Sequence, residues 1–155
     1  MSTVEVSERI DAPPDAVWPL VGDPVGLGDL TSECFEMSWI GGSTGPGVGA
    51  RFRGRNRSSW RRWSTTCTIV RYESGSEIAW NVAFGPLSVA QWGYRVEPDT
   101  RGGSLVTERY EDHRGRFLRV VGPMVRGTFD PDGHNRRNMT ETLARLKART
   151  EAPNR

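Results

Sequence analysis

Cysteine is scarce in this chain, with Cys34 and Cys67 the whole supply. Two isolated thiols exclude a disulfide framework and a cysteine-rich metal cluster. Histidine is as rare, and His113 and His134 form no HExxH pair, so neither residue type offers a metal-binding pattern. No apolar run approaches the roughly 20 residues that cross a bilayer. The N-terminal MSTVEVSERI lacks the basic and apolar blocks of a secretory signal. GGSTGPGVG over residues 41–49 has neither the spacing nor the context of a dinucleotide-binding loop. These absences lead us to expect a reduced, cytoplasmic protein with no membrane span, no metal and no cofactor.

Lysine is nearly missing too. Lys147 stands alone against twenty arginines, yet the net charge is only +2. Arginines spread over the whole chain read as a compositional habit, so no nucleic-acid partner is expected. The densest cluster, GARFRGRNRSSWRRW, places Arg51, Arg53, Arg55 and Arg57 on every second residue. Period two is the mark of a strand whose side chains alternate between faces. One face is then guanidinium and solvated. The other carries Phe52, Gly54 and Asn56, and what those three look into becomes the question.

A length of 155 residues with 35% hydrophobic and 26% charged side chains suits one globular domain. We place it over residues 1–151, with residues 152–155 as a tail. Val4 to Ile10 alternates as a first strand. Ala12-Pro13-Pro14-Asp15 then opens a helix, since proline is tolerated in a first turn. Pro19 and Gly22-Asp23-Pro24 keep that helix short, and a second short helix covers Val25 to Leu30. Six further strands follow, over residues 34–40, 51–57, 62–72, 77–84, 89–96 and 105–112, separated by turn signals at Ser74-Gly75, Gly85-Pro86 and Asp99 to Gly103. No helices alternate with them, so the sheet is antiparallel. The C-terminal part changes to helical period. Asn135, Met139, Thr142, Leu143 and Leu146 form one stripe, while Asp130-Pro131-Asp132-Gly133 reads as a turn that leaves the helix start open.

In this order of elements, the chain resembles the helix-grip fold of the Bet v 1/START-like (SRPBCC) superfamily, specifically its polyketide cyclase/dehydrase-like branch. The resemblance rests on VSERIDAPPDAVWPLVGDP, SEC, GARFRGRNR, WSTTCTIV, WGYRVEP, GGSLVTERYE and MTETLARLK, which span nearly the whole chain in the family's order. It implies an α+β fold, with a seven-stranded curved antiparallel sheet, two short helices after the first strand and a long C-terminal helix across a cavity. It also implies a small hydrophobic or polyketide-like ligand within that cavity, bound by a monomer or homodimer.

Strand parity then nominates the lining. Phe35, Met37 and Trp39 form the apolar side of the second strand. Phe52, Gly54 and Asn56 oppose the arginine row, with Gly54 leaving open room. Ile78, Trp80, Val82 and Phe84 alternate, as do Trp92, Tyr94 and Val96, and Val106, Glu108 and Tyr110 follow on the last strand. Met139 and Leu143 face them from the helix. Two readings of the polar members stand side by side. Glu108 pairs with Asn56, Tyr94 or an arginine and stabilises the sheet, or Glu33, Asn56 and Glu108 hold the polar end of a ligand. Relatives that catalyse aldol condensation and dehydration need a base beside a carbonyl and a donor to the oxyanion. Glu33 or Glu108 is the candidate base, and Tyr94, Tyr110 or an inward arginine the candidate donor. His113 and His134 read as solvated loop residues. An interaction surface built on Phe117 to Val125 and the arginine face is the remaining alternative.

Overall fold

The computed structural model describes residues 2–31, 34–115 and 131–152, apart from the side chains of Phe35, Ser58, Pro131 and Asp132. In chain order the elements are β1 (Thr3–Ile10), α1 (Pro14–Val21), a short 3-10 helix (Gly26–Leu30), β2 (Cys34–Ile40), β3 (Arg51–Ser58), β4 (Arg61–Glu73), β5 (Glu77–Phe84), β6 (Leu87–Pro98), β7 (Ser104–Asp112) and α2 (Pro131–Glu151). All seven strands form one antiparallel sheet in the order β1-β7-β6-β5-β4-β3-β2. Strands β2 to β7 are a meander of neighbours, and β1 returns to pair with the last of them. The architecture is the expected α+β helix-grip arrangement, a curved sheet around a long C-terminal helix.

The curvature has identifiable causes. Register shifts break the ladders between Cys34 and Glu36, between Ile69 and Arg71, and between Val82 and Ala83. An extra residue at each point bends its strand and increases local twist. Two parity expectations are overturned, the first by the bulge at Phe35. Cys34 pairs with Asn56 and so shares the inner face with Met37 and Trp39, because partners in register lie on one side of the sheet. Phe84, expected inward with Val82, is 51% exposed because it ends β5 beside the Gly85-Pro86 turn, paired with Leu87, which is exposed as well.

At α1, Pro13 and Pro14 fill positions whose donors are orphaned anyway, and the Gly22 amide closes the helix on the Trp18 carbonyl at 2.8 Å. Glycine is needed there, since a Cβ on Gly22 would fall 2.5 Å from the Trp18 indole. On α2, Asn135, Met139, Thr142, Leu143 and Leu146 are all buried, so the helical stripe faces the sheet. Pro131, Asp132 and Gly133 belong to this helix and not to a turn before it, with proline again in a first turn. His134 is accordingly helical, its Nε2 3.2 Å from Asn138 Nδ2, and is no loop residue.

Cationic side chains fasten α2 at its edges. The Arg136 guanidinium donates to the Glu5 carbonyl at 3.4 Å, Lys147 Nζ to the Arg9 carbonyl at 2.8 Å, and Arg145 to the Leu30 carbonyl at 3.1 Å. The helix therefore runs along β1 and over β7, and its buried stripe looks onto the concave face. No helix among the described residues is long and apolar enough to cross a membrane.

Candidate functional site

The concave face carries a connected wall of rings. Trp39 meets Phe52 edge-on at 5.8 Å between centroids, Phe52 meets Trp80 at 5.6 Å, and Trp80 stacks on Tyr94 at 6.0 Å. Trp92 lies against Tyr110 at 4.8 Å. The strand register explains the set: Trp39 pairs with Phe52, Trp80 with Trp92, and Trp92 with Tyr110. Phe52, Trp80, Val82, Tyr94 and Tyr110 are buried, as are Met139 and Leu143 opposite them on α2. Aromatic walls supply large apolar area with few rotatable bonds, and edge-on contacts hold each ring in place.

The wall ends in a carboxyl group. Glu108 is 3% exposed and pairs in register with Tyr94. The Tyr94 hydroxyl donates to Glu108 Oε1 at 2.7 Å, while Glu108 Oε2 has no partner among the described residues. Burial strips water from the charged form and pushes the Glu108 pKa up to about 8, against the smaller opposing effect of the Tyr94 hydrogen bond. Burial also raises the Tyr94 phenol well above its ordinary value, and the neighbouring Glu108 reinforces the shift. At neutral pH the pair is therefore largely uncharged, with a carboxyl that can gain or lose a proton near physiological pH.

A second polar group shares this interior. Asn135 is 1% exposed, and neither its Oδ1 nor its Nδ2 has a hydrogen-bond partner among the described residues. Sequence reasoning placed Asn135 on the buried stripe without giving it a role. The signal was there, because an amide at an otherwise apolar helical position must find partners or lose stability.

Other nominated residues do not join this cluster. Asn56 turns its Nδ2 to Thr65 Oγ1 at 3.3 Å. It lies on β3, four strands from β7, about 19 Å along the sheet at ordinary strand spacing, so it neither pairs with Glu108 nor shares a ligand head group with it. Gly54 opens no room. A Cβ there would sit 3.2 Å from Thr65 Oγ1 and 3.5 Å from Cys34 Sγ, so the glycine admits neighbouring side chains. Met37 and Trp92 are half-buried against the core. Glu33, the Phe35 side chain and the segment Phe117 to Val125 lie outside the described residues. Arg51, Arg53, Arg55 and Arg57 are all exposed on the convex face. His113 contacts Glu111 and Ser88 at the end of β7, away from the Glu108 pair. Cys67 is buried, and loss of solvent pushes its thiol up to about 12, so it is an inert core residue.

Solved structures with this architecture match over nearly the full chain. One is a protein from Nitrosospira multiformis, at 17% identity and TM-score 0.68, covering 97% of each chain. Another is the major latex-like protein 151 of Panax ginseng, at 16% identity and TM-score 0.67, again with 97% of each chain covered. A third is DynU16 of the dynemicin biosynthetic locus, at 15% identity and TM-score 0.67, covering 98% of this chain and 48% of that one. Such identities establish a shared fold. No curated protein matches. The family model described as polyketide cyclase / dehydrase and lipid transport matches residues 1–151, and with the curved sheet, the ring wall and the buried carboxyl in place, the chain belongs to that family.

Proposed function

We propose that this protein binds a small, largely hydrophobic molecule between the concave face of the sheet and α2, with the polar end of that molecule at Glu108. The observation that carries this reading is the unpartnered Glu108 Oε2 at the end of a continuous aromatic wall. A buried carboxyl oxygen without a partner costs stability, which folds tolerate where a ligand or reaction uses the group. The family match supports an apolar ligand in this position.

Titration with aromatic polyketides, sterols and fatty acids, followed by tryptophan fluorescence, tests the reading. Saturable quenching in the native chain, altered in Trp80→Phe, is the expected result. A flat response across the whole panel would rule the binding reading out.

One observation favours a second reading, acid–base catalysis of a cyclisation or dehydration. A carboxyl poised near pH 8 beside a phenol is suited to moving a proton at a carbon next to a carbonyl. Turnover of a bound polyketide-like substrate, abolished in Glu108→Gln while binding persists, would establish it. Binding without turnover would leave a carrier.

A further inference from the structure

Among the described residues the interior holds three orphaned polar atoms: Glu108 Oε2, Asn135 Oδ1 and Asn135 Nδ2. They belong to different elements, yet the topology brings them to one level of the cup. Arg136, the neighbour of Asn135, reaches the Glu5 carbonyl. Val6, the neighbour of Glu5, pairs in register with Glu108. The helix thus sets the Asn135 amide over the same stretch of β1 that flanks the Glu108 carboxyl, both more than nine-tenths buried.

We propose that Asn135 and Glu108 together select a neutral oxygenated head group, a hydroxyl or a ketone, and turn carboxylates away. This rests on the ligand-binding reading above and makes Asn135 a specificity-determining residue. The chemistry follows from the free atoms. An amide offers one acceptor and two donors, so Asn135 can receive a hydroxyl proton or donate to a carbonyl oxygen. Glu108 has one oxygen committed to Tyr94, and its other oxygen donates when protonated and accepts when not. A neutral oxygen function satisfies either state.

A ligand carboxylate fares differently. It would carry a net negative charge into a buried site beside the Glu108 carboxyl, and an unpaired buried charge is far costlier than an unpaired dipole. A cation would offset that cost, and the described residues supply no free one inside the cup. Arg114, whose side chain is 8% exposed, is held by Asp112 through two bonds of 2.9 Å. Every other described arginine, and Lys147, is at least partly exposed.

A matched series separates this inference from the reading beneath it. Naphthalene, 2-naphthol, 2-acetonaphthone and 2-naphthoate share one apolar body and differ at one substituent. Their affinities at pH 7 would be measured by calorimetry on the full chain and on Asn135→Leu, with Glu108→Gln alongside. Leucine fills a similar volume and removes the orphaned amide, and a melting curve checks that the variant folds. The naphthol and the ketone should bind at least about tenfold tighter than the naphthoate, and Asn135→Leu should lose about tenfold for those two while holding naphthalene unchanged. Glu108→Gln, which keeps a donor and an acceptor, should retain the ketone. Equal binding of naphthoate and naphthol, or an Asn135→Leu chain that binds naphthol as before, overturns the head-group selection and leaves the cavity reading intact. Failure of all four to bind overturns both.

Discussion

Tyr94 and Glu108 face each other across β6 and β7, and the phenol donates to the carboxyl at 2.7 Å where neither group meets solvent. The hydroxyl is the one partner the carboxyl has among the described residues, and it favours the charged form while burial opposes it. Tyr94→Phe removes the donor and leaves the ring. The Glu108 pKa should then move above about 8, read by NMR titration of the side-chain carboxyl carbon. Stability should fall by about 1–3 kcal/mol in chemical denaturation, the cost of a buried acceptor losing its partner. An unmoved pKa would show that the bond contributes nothing to holding the carboxylate.

The same pair gives stability a distinctive pH dependence. Glu108 has a pKa raised from 4.5 in the unfolded chain to about 8 in the folded one. Between those values the folded state holds a proton that the unfolded state has released, so stability falls as pH rises through the window. Each pH unit there costs about 1.4 kcal/mol. Asp99, Glu111 and Glu151 have lowered pKa values and act the opposite way, losing their contribution as pH falls. Denaturation of the native chain and Glu108→Gln at pH 5, 7 and 9 isolates the one group. The variant should gain on the native chain as pH rises, and parallel profiles would show that Glu108 is not held neutral.

The fold was legible in the sequence because its signals are periodic and local. Alternation in Arg51 to Arg57 and Ile78 to Val82, prolines at Pro13 and Pro14, and the stripe from Asn135 to Leu146 each reflect a geometry one segment imposes by itself. What escaped depended on long-range packing. A single inserted residue near Phe35 turned Cys34 inward, and Phe84 lies exposed where β5 ends at its hairpin turn, paired with Leu87. The bulge at Phe35 has no local signature such as glycine. Glu108 was legible as an inward carboxylate, but its choice of Tyr94 over Asn56 follows from strand order, which parity alone does not give.

Gly54 illustrates the difference between a gap in sequence and a gap in space. Thr65 Oγ1 and Cys34 Sγ already occupy the room its missing side chain leaves. A single methyl needs only a shift of the Thr65 hydroxyl, so Gly54→Ala should cost about 1 kcal/mol or less. Gly54→Val adds three carbons to a closed site and should cost about 1–3 kcal/mol, as overpacked cores do. Thermal melts of the two variants compare them directly. A valine tolerated as well as alanine would mean that open space does exist beside Gly54.

Phe52 and Arg53 are adjacent in the chain and opposite in consequence. Phe52 is fully buried between the rings of Trp39 and Trp80, whereas Arg53 is exposed on the convex face, with no carboxylate within 4.0 Å among the described residues. Phe52→Ala therefore opens a cavity in the aromatic wall and should cost about 3–5 kcal/mol. Phe52→Leu keeps most of the volume, should cost less, and gives a folded chain in which apolar ligand affinity can be compared. Arg53→Ser removes a solvated charge and should change stability by less than about 0.5 kcal/mol, with ligand affinity unaltered. Urea denaturation of the three variants and calorimetry with 2-naphthol decide the matter. Loss of ligand binding in Arg53→Ser with stability unchanged would mean that the arginine face, and not the cup behind it, holds the ligand.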